Sequence, residues 1–490
     1  MAGFAPVVFA SDTDKDMIAR AVRRGELVKV GPGIYFSETD RPVAEVMKQR
    51  LWDIVGHAMP GAVIVDRSVR DGGFGANGTL FVVGNRSRPL ALAGVTVYPR
   101  HGVGPLEGDM SLPAGVHMAG IARSLLENLA PTRRTAAGTA RTLTREEVET
   151  WIAELCASRG ELYLNRIRDE ARRLAPQLGA ERAMSTLDKL ISAALNTNDS
   201  VPLSSPELVA RASGVPFDPR RVALFNQLTE FLNDQPPDVI TTMPIDAARR
   251  TLLPFYEAYF SNYIEGTEFT LDEASDIVFN GIVPAQRPAD AHDILGTYEL
   301  TNSDREMRRT PKTGDEYVGM LRSRHAAIMA GRPDKGPGQL KDRANRAGTT
   351  EFVDPAMVEG TLRRGFDIGA GLISPFARAT YMMFMTSEVH PFADGNGRAA
   401  RIMMNAELAA ASEVRIIIPT VYRLNYLAAL KAATHGSNFA ALLATLSFAR
   451  RWTGRVDFTN RTTAEADLAL TNALRDATEA EDAGIRLTMP

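Results

Sequence analysis

Between residues 12 and 24, Met17, Ile18, Ala21 and Val22 recur at helical spacing while Arg20, Arg23 and Arg24 fall on the polar side. Gly25 ends that helix, and Leu27, Val28, Val30, Ile34 and Tyr35 flank Gly31-Pro32-Gly33 as a short β-hairpin. From 51 to 132 a helical stretch precedes strand-like runs at 61–65, 79–83 and 94–98. The glycine-rich run 71–78 joins two of them; it has no P-loop Lys-Ser/Thr and reads as a flexible hairpin loop. Beyond 133 the chain turns polar and then helical. Thr144 with Glu147 forms a capping box, and Ser205-Pro206 places a cap before a proline. The charged stretch 166–187 predicts a solvated connecting helix. After a boundary near 216 the periodic runs are helical, broken by turns at 283–288 and 331–338. These shifts divide the chain into 1–50, 51–132, a helical connector 133–215, a helical domain 216–450 and a polar tail 451–490 expected to pack loosely.

Composition narrows the class without naming a chemistry. The chain has 490 residues, too many for one core, with 44% hydrophobic and 23% charged residues and a net charge of −3. Collagenous, disulfide-rich and mostly disordered classes are excluded, and the near-neutral balance argues against bulk binding to nucleic acid or membrane. The single cysteine, Cys156, has no partner for an internal disulfide, and no Cys/His cluster suggests structural zinc. The opening residues lack a basic region and meet three aspartates at once, unlike a signal peptide. No run of about eighteen apolar residues occurs. The expected location is cytoplasmic, with no membrane partner.

The chemistry concentrates in His390-Pro391-Phe392-Ala393-Asp394-Gly395-Asn396-Gly397-Arg398-Ala399-Ala400-Arg401. An apolar helix at 374–389 precedes it and another follows, so Gly395 to Gly397 lie at a helix N-terminus, where free amides and the helix dipole favour an anion. Glycines let the backbone approach phosphate oxygens. Arg398 and Arg401, three apart, share a face; Asp394 is a hard oxygen ligand suited to Mg²⁺; His390 suits acceptance of a hydroxyl proton. Together these groups specify a nucleotide-phosphate site with an adjacent base.

The stretch matches HxFx(D/E)GNGRxxR at every constrained position and resembles the Fic family, whose members mostly transfer AMP from ATP to protein hydroxyls. The resemblance covers 216–450 and implies a multidomain, mainly α protein: a Fic helical core with a β-hairpin flap, behind a small α/β region. It implies ATP and Mg²⁺ as cofactors and His390 as the base toward a target Ser, Thr or Tyr. Asp394 would hold Mg²⁺, Asn396 and the amides of Gly395 and Gly397 would stabilise the α-phosphate, and Arg398 and Arg401 would engage the β- and γ-phosphates. Phe392 would anchor the loop. The GNGR loop favours AMP transfer over phosphorylation.

Upstream, Leu252, Phe255, Tyr256, Tyr259, Phe260 and Tyr263 form a helical apolar stripe ended by Gly266, and Thr270 with Glu273 caps the next helix. Ser261-x-x-x-Glu265-Gly266 within it resembles the (S/T)xxxE(G/N) inhibitory motif of Fic proteins. The resemblance implies that Glu265 pairs with Arg401 in place of the γ-phosphate. Thr349, Thr350, Glu351 and Phe352 resemble the flap that docks a target by β-augmentation. Arg415, Ile416, Pro419, Tyr422 and Tyr426 resemble the closing helices, which border the nucleotide. His57, His101, His117, His292, His325 and His435 sit in no metal-ligand spacing and read as core or surface residues.

Residues 18–36 resemble the winged-helix end of AbiEi-type antitoxins, which repress their own operons. That implies a recognition helix at 12–24, a wing at the hairpin, and DNA contacts from Arg20, Arg23, Arg24 and Lys29. The implied partners are a target protein or the chain itself through auto-AMPylation, DNA through the N-terminal region, and a second copy in a homodimer. Three readings remain: an autoinhibited adenylyltransferase, a de-AMPylase using Glu265, and a DNA-binding autoregulator whose Fic domain senses nucleotide.

Overall fold

A computed structural model describes residues 4–73, 75, 77–130, 138–197, 201–236 and 251–490. The expected boundary at 132–133 and two positions of the glycine-rich loop, Phe74 and Ala76, lie outside the described residues. The protein is mainly helical with a small N-terminal α/β region, and divides into two compact units, Met1–Gly214 and Val215–Pro490.

The first unit opens with β1 (Val7–Phe9), α1 (Lys15–Arg23), β2 (Val28–Gly31) and β3 (Ile34–Phe36). Asp14 caps α1, and the hairpin joins a three-stranded sheet in the order β1-β3-β2. A strand therefore occupies the space before α1. Next come α2 (Val43–Ala58), β4 (Val63–Ile64), α3 (Arg67–Arg70), β5 (Thr79–Val83), β6 (Leu90–Leu92), β7 (Val95–Arg100), β8 (Met110–Ser111) and β9 (His117–Met118). These strands form a mixed sheet in the order β6-β7-β5-β4-β9-β8, with Val63 opposite Val83 and Leu80 beside Val97. Leu51, Ile54 and Val55 of α2 pack on Ile64, Leu80 and Val82, because a continuous apolar run such as β5 must be covered.

Then follow α4 (Ile121–Asn128), α5 (Arg145–Arg159), α6 (Glu161–Leu178), α7 (Glu181–Ala194) and α8 (Pro206–Ala212). The Thr144–Glu147 capping box and the Ser205 cap both form. The stretch 166–187 differs from the single solvated helix expected. Gly179, at φ 60°, breaks it between α6 and α7, whose Ile167, Ala171, Leu174, Leu187 and Ile191 share one core.

The second unit contains α9 (Pro219–Asn233), α10 (Leu253–Ile264), α11 (Leu271–Asn280), α12 (Pro288–Asn302), α13 (Asp304–Met307) and α14 (Gly314–Ile328). A hairpin of β10 (Arg346–Ala347) and β11 (Thr350–Glu351) precedes α15 (Val358–Gly369), α16 (Pro375–Val389) and α17 (Asn396–Ala410). The chain closes with α18 (Arg423–Gly436), α19 (Phe439–Arg455), α20 (Arg461–Leu470) and α21 (Ala477–Asp482). α16 is buried almost throughout, with Ser374 as its cap and Pro375 at its first turn. The aromatic stripe of α10 packs Phe255, Tyr256, Tyr259 and Phe260 against Trp452 and Phe458. Residues 451–490 are not loosely packed: Ala464, Leu468, Ala480 and Leu487 are buried in that same cluster, small apolar faces that a polar composition conceals.

Among the described residues no helix is long and apolar enough to cross a membrane, and no group of three or more His, Cys, Asp or Glu side chains could hold a metal ion.

Candidate active site

The loop between α16 and α17 is built by short-range interactions that only these residues supply. His390 ends α16 in the left-handed region, φ 50° and ψ 60°, with its N–H donating to Thr386 O at 3.0 Å. Such a conformation costs a residue with a Cβ about 1–2 kcal/mol, so its surroundings must hold it. Phe392 does much of that: its ring is fully buried and lies flat on His325, centroids 3.6 Å apart and planes 1° apart. Phe392 N–H donates to Asn396 Oδ1 and Asn396 Nδ2 donates back to Phe392 O, both at 2.9 Å. Asn345, on the segment before the hairpin, donates to the same Phe392 carbonyl at 3.0 Å.

Gly395 stands at the N-terminus of α17 with φ 73°, and a Cβ there would come within 2.7 Å of Met329 Sδ. No Cβ fits at Gly397 either, because Glu265 Oε1 occupies that space. The carboxylate of Glu265 thus lies over the first turn of α17, where unpaired amides and the dipole attract negative charge.

Arg401, only 4% exposed, donates from Nε to Ser261 Oγ at 3.0 Å and from Nη2 to Ser261 O and Glu265 Oε1, each at 2.8 Å. Burial opposes the guanidinium's charge, but Glu265 and Tyr426 beside it keep its pKa above the usual range. Arg398 is buried too, yet it points elsewhere: Nη1 meets Asp293 Oδ2 at 2.5 Å and donates to Asn262 Oδ1 at 3.2 Å. Asp394 keeps a side chain 43% exposed, with Oδ1 accepting from its neighbour's Gly395 N–H at 2.6 Å.

His390 Nδ1 faces Ser387 O at 3.3 Å. A carbonyl only accepts, so Nδ1 carries the proton and Nε2 keeps its lone pair. Burial pushes the imidazole pKa down to about 4, leaving it neutral near pH 7. Phe352 covers it, ring on ring at 3.8 Å and 6°. Lys341, buried beside them, is likewise pushed down to about 8 and bonds Asn345 Oδ1 at 2.6 Å.

Residues 349–352 do form a hairpin end. Ala347 pairs with Thr350, and Gly348 supplies the positive φ that a two-residue turn needs. Thr349 and Glu351 are exposed, Thr350 Oγ1 meets His435 Nε2 at 2.9 Å, and Arg221 donates to Glu351 O at 2.7 Å.

The structure therefore brings together His390, Asp394, Gly395, Asn396, Gly397, Arg401, Ser261, Glu265 and Phe352, with Gly266 in the turn that ends α10. Two side chains are already engaged within the protein. Asn396 commits Oδ1 and one Nδ2 proton to Phe392, which leaves its second Nδ2 proton and its backbone N–H for a ligand, and Arg398 is held by Asp293 and Asn262. Arg415 is spent on Glu257 and Thr301 O, whereas Tyr426 is buried beside Arg401. In the first unit Arg20, Arg23, Arg24 and Lys29 are exposed; Arg20 Nε donates to Asp16 O and Arg24 pairs with Glu26.

Sequence reasoning missed Asp293, Asn262, Asn345 and Lys341, and read His325 as a core or surface residue. None lies at a spacing that local patterns detect; His325 and Asp394 are 69 positions apart.

Residues 318–408 match the model of the Fic/DOC family. Over 192 residues the chain is 28% identical to a protein adenylyltransferase Fic of Nematostella vectensis, covering 37% of this chain and 44% of that protein. Over 188 residues it is 24% identical to protein adenylyltransferase fic-1 of Caenorhabditis elegans, covering 37% of each. The chain thus spans less than half the length of these curated relatives. Among solved structures, Fic-1 from C. elegans aligns with a TM-score of 0.37 at 16% identity, over 64% of this chain and 87% of that one. A Fic-domain-containing signaling protein from Bacteroides thetaiotaomicron aligns with 0.38 at 18%, over 50% and 97%. The helix–loop–helix at the centre of the site is, by sequence, Fic-like across residues 318–408.

Proposed function

We propose that the second unit transfers AMP from Mg-ATP to a Ser, Thr or Tyr hydroxyl of a target protein, or of the chain itself, and that Glu265 restrains the reaction. The observation that carries this reading is the Glu265 carboxylate over Gly397 and against Arg401: the helix N-terminus already accepts an anion, beside an imidazole with a free Nε2. A triphosphate replacing that carboxylate would gain the backbone amides at Gly395–Gly397 and the Arg401 guanidinium. His390 Nε2 takes the proton as the hydroxyl oxygen attacks the α-phosphorus, and pyrophosphate leaves. The residues are suited to positioning and charge stabilisation. The names of the relatives, protein adenylyltransferases, support the same reaction.

Mg²⁺ fits as a companion of the nucleotide. Asp394 offers a half-exposed hard oxygen at the loop, and Mg²⁺ takes one or two carboxylates with phosphates and water. When bound, it would neutralise phosphate charge.

Incubation with ATP labelled at the α-phosphate tests the proposal. Wild type labels weakly, Glu265→Gly strongly and His390→Ala not at all; equal labelling of the first two removes the inhibitory role. A second reading, in which Glu265 positions water to remove AMP from a modified target, rests on the same carboxylate, 28% exposed. Under it, Glu265→Gly abolishes release of AMP from a target already modified, whereas a purely inhibitory Glu265 leaves that release unchanged. A nucleotide sensor with no chemistry has no use for the free Nε2 of His390.

For the first unit, α1 followed by the β2–β3 hairpin, with Arg20, Arg23, Arg24 and Lys29 exposed, supports a DNA contact of winged-helix type. A gel-shift on the chain's own promoter, absent even at low salt, ends that idea. The homodimer is tested by light scattering.

A further inference from the structure

We propose that His325 is a positioning residue that fixes the Asp394–Gly395 peptide plane, so that the Gly395 amide and the Asp394 carboxylate face the nucleotide phosphates. The inference rests on the reading of the loop as a nucleotide-phosphate site.

His325 sits on α14, with its side chain fully buried. Gly338 N–H, which can only donate, points at Nδ1 from 3.0 Å. Nδ1 is therefore the acceptor nitrogen, and the neutral ring carries its proton on Nε2. Nε2 in turn faces Asp394 O at 2.9 Å, an atom that can only accept. One tautomer satisfies both contacts, and the flat stack on Phe392 fixes the plane of the ring. His325 thus spans the segment at Gly338 and the loop at Asp394.

In a trans peptide the C=O and the following N–H point to opposite sides. Holding Asp394 O against α14 turns Gly395 N–H away from α14. That N–H meets Asp394 Oδ1 at 2.6 Å, so amide and carboxylate stand on the same side of the loop. An arriving phosphate oxygen finds the amide already aimed, and the carboxylate it displaces would be free to hold Mg²⁺. Such prior orientation lowers the cost of binding. A residue that merely filled the core would need the slab of the ring and neither nitrogen.

The test separates shape from hydrogen bonding. Nitrogen-15 histidine spectra of the intact chain at neutral pH should place His325 in the Nε2–H tautomer; an Nδ1–H ring overturns the proposal without any variant. In a Glu265→Gly background, His325→Phe keeps the stack and loses the donor. It should weaken Mg-ATP binding by calorimetry about tenfold and speed hydrogen exchange of the Gly395 amide. His325→Gln, whose amide nitrogen reaches the place of Nε2, should return affinity to within about threefold of the parent, and His325→Asn, which cannot reach it, should not. Parental affinity and exchange in His325→Phe, or His325→Gln binding as poorly as His325→Phe, overturns the proposal. If the Glu265→Gly parent itself takes up no Mg-ATP, the nucleotide reading fails, while the tautomer and the Gly395 exchange still decide the role of His325.

Discussion

Replacing Glu265 by glycine should make the protein less stable when empty and more responsive to nucleotide. Arg401 makes three hydrogen bonds in this corner, two to Ser261 and one to Glu265 Oε1 at 2.8 Å. A phosphate that takes Arg401 must break the last of these, a charge-assisted bond worth about 1.5–3 kcal/mol. Removing the carboxylate in advance spares that cost, which corresponds to roughly a 10- to 100-fold gain in Mg-ATP affinity. The empty protein loses a partner for a buried guanidinium. Because Ser261 keeps both of its contacts and Glu265 is 28% exposed, the loss should fall near 1–2 kcal/mol, below the ~3–5 kcal/mol of a wholly buried pair. For a domain of this size that lowers the melting temperature by roughly 2–8 °C. Thermal shift with a Mg-ATP titration, alongside calorimetry, reads both effects: the variant starts lower and climbs further. Equal dissociation constants for the two proteins, or a lower melting point with no gain in binding, would refute the reasoning.

Three other outcomes follow from the same geometry. Phe352→Ala uncovers His390, whose pKa burial holds at about 4, so it should rise toward 6.5; the base form is lost as pH falls through the pKa, and the acid limb of the transfer rate in a Glu265→Gly background should move to higher pH. Superimposable pH–rate profiles would contradict this. His325 is held neutral by burial, its pKa lowered from 6.5 to about 4, so its contribution to stability is complete above about pH 6.5 and lost as pH falls toward 4. That is worth about 3 kcal/mol in all, and urea midpoints of wild type and His325→Gln should converge as the medium is acidified. Asn396→Ala strips the Phe392 N–H of its partner and the Phe392 carbonyl of one of two, which should cost about 2–3 kcal/mol in urea unfolding; a cost near zero would mean that the loop is held by other means.

What the sequence made legible was local. The loop from His390 to Arg401 is readable because its turn needs glycine at Gly395, a small residue at Gly397 and an amide at Asn396, all within a few positions. The boxes at Thr144–Glu147 and Thr270–Glu273 are readable for the same reason, since cap and partner lie three residues apart. Beyond the Glu265–Arg401 pair that the resemblance implied, contacts set by tertiary packing left no trace in local spacing. Asp293 takes Arg398 away from the phosphates, and His325 reaches Asp394 from another helix. The strands β8 and β9 are each two residues long, too short for alternation to register. In the tail, alanines such as Ala464 and Ala480 bury a face without raising the apolar content that flags a core. The break at Gly179 was hidden because the charges on both sides form one continuous polar pattern.

The central claim is that the N-terminus of α17 grips a magnesium nucleotide triphosphate beside a neutral imidazole. Crystals of the Glu265→Gly protein soaked in Mg-ATP test it most directly. The account predicts phosphates on the amides of Gly395 to Gly397, a phosphate oxygen on Arg401 and the α-phosphate next to His390 Nε2. A bare helix end under saturating nucleotide, or a nucleotide seated elsewhere, would contradict it.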